Sequence, residues 1–361
     1  MPKTREILVD RGNLRTSRVV ETPFAPLHDG EVRVAIDRFA LTANNVSYAI
    51  SGDTIGYWKF YPADDPWGKV PVWGFGTVIA SACPDMPVGK RFYGFYPMAS
   101  HAVLRPVRIR PSGFTDGAAH RQDLPGLYNQ YNDTDTEPEI LNGMDDERCL
   151  LFPLFVTSYM LYDYLVDNDF FGAGQVLIGS ASSKTGLGLA HMLSGDRAAA
   201  KRVVGLTSPS NVAFVESLGI YDQVVAYGGE SEIDPMVPAA YVDMAGNGPL
   251  TTSLHVHLGG NMVESCQVGA THWDADRHLT NLPGAKPAFF FAPTQIGKRD
   301  AEWGSGVVMG KAFEASARVA KAITAQMAVD HIRGADSIQT LWTEMLENQV
   351  PPSRGLIMSL L

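Results

Sequence analysis

The chain has 361 residues, enough for two hydrophobic cores rather than one. Apolar residues make up 45% and charged residues 19%, the balance of a globular enzyme. Its 29 basic and 39 acidic residues leave a formal charge of −10, and no stripe of Lys and Arg follows any segment. Nucleic acid and anionic membranes are therefore not expected as partners. Three scattered cysteines, Cys83, Cys149 and Cys266, are too few for a four-Cys zinc site and do not form a disulfide framework. The N-terminal MPKTREILVDRG turns polar before a signal-peptide core could form, and Pro153 and Asp163 interrupt the longest apolar run, LLFPLFVTSYMLYDYL. A cytoplasmic location is the expectation.

Up to about residue 150 the chain reads as short strands between Gly and Pro turns. EVRVAIDRFA alternates apolar and polar residues after the turn signal His28-Asp29-Gly30, as a half-buried strand does. PVWGFGTVIAS and KRFYGFYPMASHAVLRP continue the pattern. Residues 112–148 are polar, with an acidic run from Asn132 to Glu139, and read as a solvated excursion. From about residue 151 the texture changes. A helical stretch to Tyr164 leads into the strand QVLIGS, a helix over 185–193 and the strand RVVGLTS. A helix over 211–218, the strands QVVAY and AAYVDMAG, a helix over 250–257, then NMVESCQVG and AFFFAP follow. Strands alternating with helices at this spacing predict a parallel, doubly wound sheet. Its strands are continuous apolar runs, as expected when both faces are covered. After about Trp303 the pattern is helical, with RGLIMSLL as a final strand.

The first parallel strand runs into GSASSKTGLG at 179–188, where a helix N-terminus can hold a pyrophosphate. Anchored on Gly186, GxGxxG finds Ala181 and Ser183 where two glycines belong. Small residues still allow a tight turn, and three serine hydroxyls, the Thr185 hydroxyl and an ammonium add donors for phosphate. A P-loop would need glycines at Ile178 and Ser183 before Lys184-Thr185, so a nucleotide hydrolase is a distant alternative. A short-chain dehydrogenase would need Tyr-x-x-x-Lys, and no tyrosine here has lysine four places on.

The order of a β-rich region, an embedded dinucleotide domain and a return segment resembles the medium-chain dehydrogenase/reductase superfamily, in particular its zinc-free quinone- and enoyl-reductase branch. PVWGFGTVIAS looks like that family's glycine-rich strand motif, and GKRFYGFYPMASHAVL like its following strand pair. TSYMLYDYL looks like the helix before the cofactor loop, VGLTSPSNVAFVESLGIYDQVVAY like the second strand and helix, and YVDMAG like the fourth strand. The whole string, with VGATHW and FFFAPTQIGKR, also resembles the domain-of-unknown-function family DUF2855. The resemblance implies an α/β fold: a GroES-like β-rich catalytic domain over 1–150 and 300–361, and a doubly wound Rossmann domain over 151–299. It also implies a homodimer paired through the edge strands of the dinucleotide sheets, for which AFFFAP is the candidate.

A Rossmann unit that prefers NADH carries a carboxylate after its second strand. Here that turn reads Gly205-Leu206-Thr207-Ser208-Pro209-Ser210-Asn211, with hydroxyls and amides only, so NADPH is preferred over NADH. The expected cofactor contacts are Ser180, Ser182, Ser183, Lys184, Thr185 and Gly186 of the first loop, and Thr207, Ser208 and Asn211 of the second. Ala245, Gly246 and Gly269 follow at later strand ends. Thr157 would lie, by resemblance, near the nicotinamide, or else bond its own helix backbone. Lys184 either reaches phosphate or is a solvated helix-start side chain.

Zinc-dependent members of the superfamily use an early Cys and a Gly-His-Glu motif. Thr42 stands near the first position and Gly74-Phe75-Gly76 replaces the second, so no zinc is expected. Proton transfer then falls to side chains. Asn45, Tyr48 and Tyr57 lie where related enoyl reductases place cleft-lining Asn and Tyr: Asn45 to hold nicotinamide or substrate, Tyr57 to donate a proton. The alternative is that YWKFYPADDPW packs as an aromatic surface loop. His272, in Thr271-His272-Trp273, is another candidate acid or a structural histidine. The expected activity is NADPH-dependent reduction of an activated C=C or C=O bond in a small substrate. The alternatives are a catalytically divergent dinucleotide-binding protein with a regulatory role, or a lyase or isomerase on the same fold.

Overall fold

The computed structural model describes residues 2–196, 201–268 and 281–361. The chain divides into two compact units, Met1–Leu150 with Ala328–Leu361, and Leu151–Met327. Among the described residues no helix is long and apolar enough to cross a membrane.

The first unit opens with β1 (Lys3–Asp10), β2 (Ser17–Pro23), β3 (Val32–Leu41), α1 (Ala43–Ile50), β4 (Trp67–Gly68) and β5 (Pro71–Ser81). There follow β6 (Arg91–Pro97), β7 (His101–Leu104), β8 (Pro106–Arg110), β9 (Gly113–Asp116), β10 (Gln130–Asp133) and α2 (Asp145–Leu150). The second unit holds α3 (Phe152–Asp167), β11 (Gln175–Gly179), α4 (Lys184–Gly195), β12 (Arg202–Thr207), α5 (Val212–Ser217), β13 (Gln223–Ala226) and β14 (Ala239–Asp243). It closes with α6 (Gly248–Leu258), β15 (Met262–Gln267), β16 (Ala288–Phe289), α7 (Ala292–Trp303) and α8 (Val307–Thr324). The chain then returns through β17 (Ala328–Arg333), α9 (Ala335–Leu346) and β18 (Arg354–Ser359).

In the first unit the larger sheet runs β17-β18-β3-β5-β6-β10-β9-β8, with β7 also on β3, and a smaller sheet runs β2-β1-β4. The alternation read in β3 puts Val32, Val34 and Ile36 fully inside. The stretch 112–148 is not the solvated excursion its polarity suggests. β9 and β10 join the larger sheet, and fully buried Tyr131 stacks on Phe114 at 4.9 Å. The acidic run is in part ion-paired: Arg148 pairs with Glu137, and Lys90 bridges Asp133 and Asp135 at 2.9 Å each, while Asp135 and Glu139 stay exposed.

The second unit's sheet runs β13-β12-β11-β14-β15-β16, every pair parallel. In the unit's own count this is 3-2-1-4-5-6, the doubly wound Rossmann order. β11 and β14 are buried along their whole length. The return to the first unit comes at Ala328, later than the residue 300 read from the sequence. α8 packs on α3 and α4, and Val308 and Ala312 are buried against Met160, so α7 and α8 belong to the dinucleotide unit. The expected continuous helix after Trp303 is broken by β17, whose parallel pairing with β18 extends the larger sheet.

Candidate functional site

The switch from β11 to α4 forms a cradle. Ser180 takes a left-handed backbone (φ 55°) that turns the chain sharply off the strand. Ser183 caps α4 by accepting the Gly186 amide at 3.2 Å. Gly186 suits the tight space: a Cβ there would lie 3.0 Å from both the Ser180 carbonyl and Ser183 Oγ. Among the described residues the amides of Ser182, Lys184 and Thr185 have no hydrogen-bond partner. They sit with the positive end of the helix dipole, an arrangement that attracts phosphate. Lys184 is half-buried, has no carboxylate partner among the described residues, and burial pushes its ammonium down to about 8. The ammonium therefore adds an unmatched positive charge to a helix terminus that is already positive.

Residues beyond those foreseen hold this loop in shape. The Tyr227 hydroxyl accepts the Ser180 amide at 3.1 Å, and Tyr221 donates to the Ala181 carbonyl at 2.8 Å. Ser158 of α3 donates to the Thr185 carbonyl at 2.8 Å. Gly188 lets α3 come this close, since a Cβ would meet Ser158 Oγ at 2.6 Å and Phe155 at 2.7 Å. Thr157, its neighbour, is half-buried and bonds no backbone carbonyl among the described residues.

The turn after β12 comes to the same loop. Thr207 Oγ1 and Asn211 Nδ2 both donate to Ser182 Oγ, at 3.3 Å and 3.2 Å, and Ser208 bonds Ser210 at 3.1 Å. A cluster of neutral donors thus stands where an NADH-preferring unit carries its carboxylate. At the end of β14, Asp243 is buried and accepts the amides of Ala245 (3.0 Å) and Gly246 (2.9 Å) and the Thr251 hydroxyl (3.3 Å). The N–H groups of Ala245 and Gly246 thus serve Asp243, which fixes the loop into α6. Gly269 and His272 lie outside the described residues.

In the first unit, Asn45 proves to be scaffold rather than ligand contact. Its Oδ1 accepts the Thr42 amide at 2.7 Å and its Nδ2 donates to the Pro71 carbonyl at 2.9 Å, locking α1 to β5. The amide that turns to a reactive side chain is Asn44, which donates to the Tyr48 hydroxyl at 2.6 Å, joined by Trp73 Nε1 at 3.2 Å. Tyr57 shares a 2.9 Å hydroxyl–hydroxyl bond with Tyr128 and lies 4.4 Å, ring to ring, from Tyr48. Phe60 and Phe95 close the rest of this aromatic wall. YWKFYPADDPW is a surface loop only in its second half: Tyr57, Trp58, Phe60 and Tyr61 are buried, while Pro62, Asp64, Asp65 and Pro66 are exposed. Burial raises all three phenols, so they stay protonated near neutral pH. The Trp73 and Asn44 donors pull Tyr48 back down, whereas Tyr128 pushes Tyr57 further up.

Thr42 caps α1, and Phe75 is fully buried with the guanidiniums of Arg91 and Arg148 4.3 Å and 4.8 Å from its ring. Among the described residues no three His, Cys, Asp or Glu side chains gather as a metal-ligand set.

Known structures share this architecture. CurA of Vibrio vulnificus in complex with NADPH superposes with a TM-score of 0.63 at 11% identity, with 99% of each chain covered. A mutant enoyl thioester reductase from Candida tropicalis gives 0.59 at 11% identity over 100% of both chains. The yhdH oxidoreductase of Salmonella enterica in complex with NADP gives 0.54 at 15% identity, covering 99% of this chain and 100% of that one. The fold is thus the two-unit medium-chain reductase fold, GroES-like plus Rossmann. A family model described as "Protein of unknown function (DUF2855)" matches residues 39–351. No curated protein matches the sequence.

Proposed function

The chain belongs to the DUF2855 family, and on that premise we propose that it is a zinc-independent, NADPH-dependent oxidoreductase that reduces an activated C=C or C=O bond of a small organic substrate. The observation that carries this reading is the cradle: three free amides and the unpaired Lys184 ammonium, tied through Ser182 to the carboxylate-free Thr207–Asn211 turn. Solved relatives of the same fold hold NADPH or NADP, which supports it.

The donor set suits a phosphorylated dinucleotide. Ser182, Lys184 and Thr185 would hold the pyrophosphate, and Thr207, Ser208 and Asn211 the 2′-phosphate. Bound there, the nicotinamide supplies hydride. The chain's own residues do the rest. Tyr48 supplies the proton from its hydroxyl, because both of its lone pairs accept hydrogen bonds and the phenolate left behind stays solvated by Asn44 and Trp73. Tyr128 and Tyr57 fix the Tyr48 ring by edge and tilted aromatic contacts.

The test is titration of the protein with NADPH and NADH, read by fluorescence or calorimetry. Binding of neither at high micromolar concentration, about −5 kcal/mol or weaker, overturns the reading. Replacement of two motif glycines by Ala181 and Ser183 favours one rival, a dinucleotide-binding regulatory protein. NADPH binding without oxidation across enones, quinones, aldehydes and enoyl thioesters would establish that rival instead.

A further inference from the structure

The first unit contains a cavity of about 310 Å3 that shares no residue with the Tyr48–Tyr57–Tyr128 cluster. Its charged walls are Glu6, Arg33, Lys69, Asp116 and Arg121. Lys69 pairs with Glu6 at 2.8 Å. Asp116, buried, accepts the amides of Arg105 (3.1 Å) and Ala118 (3.0 Å) and faces Arg121 Nε at 3.3 Å. The remaining acid–base groups, His101 and His120, are held below the ordinary imidazole range, chiefly by burial, and are neutral near pH 7. Three cations thus face two carboxylates, and one positive charge is left without a partner.

That charge is Arg33, which lies over the Phe24 ring and donates from Nη2 to the Ala25 carbonyl; Arg121, though it faces Asp116, adds an unmet donor on the same walls. The Arg121 side chain is only 1% exposed; Nε donates to the Phe60 carbonyl at 3.2 Å and Nη1 to the Tyr131 hydroxyl at 3.3 Å. Nη2 is buried and has no acceptor among the described residues. A buried guanidinium donor left unmet is costly, so the position favours an incoming acceptor oxygen. A carboxylate matches a guanidinium edge in shape and charge. The Phe24 and Tyr61 rings and Pro97 on the walls give such a ligand an apolar surface to lie on. An adjoining cavity of about 290 Å3, sharing Pro62 and His120, gives it further room.

We propose that this cavity binds a small organic monocarboxylate through Arg121. The proposal stands apart from the cofactor reading, since every group it uses lies in the first unit. The experiment is calorimetry on the full chain with butyrate, benzoate, butyramide and inorganic phosphate, with NADPH titration as a control for folding. The carboxylates are expected to bind with Kd of about 1 mM and to raise the unfolding midpoint, while butyramide does neither. Arg121→Lys is expected to weaken butyrate at least tenfold. Because that variant touches a buried pair, Val103→Trp serves as a second: Val103 is 46% exposed on the cavity wall, and the indole would fill it without disturbing the core. Loss of butyrate binding in Val103→Trp with unchanged NADPH titration supports the site. Equal binding of butyramide, preference for phosphate, unchanged butyrate binding in Val103→Trp, or no carboxylate binding at about 10 mM overturns it; in the last case the cavity takes only water.

Discussion

Asn211 Nδ2 donates to Ser182 Oγ at 3.2 Å, joining the turn after the second parallel strand to the loop after the first. The contact sets a neutral donor where a carboxylate would discriminate against a 2′-phosphate. Asn211→Asp is expected to weaken NADPH roughly tenfold to a hundredfold, since a carboxylate near a phosphate costs about 1–3 kcal/mol at partly exposed separations. NADH affinity should change little. Fluorescence titration of both cofactors reads the result, and an unchanged NADPH-to-NADH ratio would show that the phosphate lies elsewhere.

Lys184 predicts a pH dependence with a definite sign. Burial lowers its ammonium from 10.5 to about 8 in the free protein. Between those values the unfolded chain binds the extra proton, so this group makes the free protein more stable as pH rises through that window. Below pH 8 the desolvated charge is a burden on the free protein and an asset to phosphate binding. NADPH affinity should therefore fall as pH rises through about 8, and Lys184→Met should abolish that fall while lowering affinity about tenfold or more. Calorimetry across pH 6.5 to 9.5 would measure it, a range of roughly the group's full titration.

Tyr48 and Tyr57 separate by their hydrogen bonds. Tyr48→Phe is expected to lower kcat by about 10²–10⁴ with KM little changed, the usual range for a positioned general acid. Tyr57→Phe should cost only about tenfold, because its hydroxyl bonds Tyr128 and its effect is on ring placement. Steady-state kinetics on whichever activated alkene or carbonyl the protein reduces provides the comparison. The reverse order of effects would make Tyr57 the acid.

Much of the second unit was legible from residues alone, because continuous apolar strands and 3.6-period helices leave a clear period in the chain. The cradle and the hydroxyl turn were legible for the same reason, being anchored to strand ends. Three things were hidden. Tyr128 reaches Tyr57 across 71 residues, through polar sequence whose only sign of burial was the aromatic spacing of Tyr128 and Tyr131. Asn44 and Asn45 look interchangeable in sequence, yet helix capping turns one amide into the fold and leaves the other beside Tyr48. Asp243 sat inside a recognised strand motif, but that its carboxylate takes the Ala245 and Gly246 amides depends on the φ of 73° at Gly246.

We propose a homodimer formed along β16, the edge of the parallel sheet, where Phe289 and Phe291 are 69% and 56% exposed and stacked at 6.4 Å. An open edge with exposed aromatics is a ready template for strand pairing. Light scattering after gel filtration should give twice the chain mass, and Phe289→Lys should give the single-chain mass. A single-chain mass for the unaltered protein at micromolar concentration would dispose of the idea.

Phe75 carries a consequence for redesign. A divalent cation brought to that spot would meet two guanidiniums, 4.3 Å and 4.8 Å from the ring centre, before it met any ligand. Returning a histidine to position 75 and a cysteine to position 42 would supply donor atoms and still leave the charge wrong. Arg91 and Arg148 would have to be neutralised with them, and Arg148 cannot be removed alone without stranding the half-buried Glu137 carboxylate it holds. Building a metal site here would thus require changes at Thr42, Phe75, Arg91, Arg148 and Glu137 together.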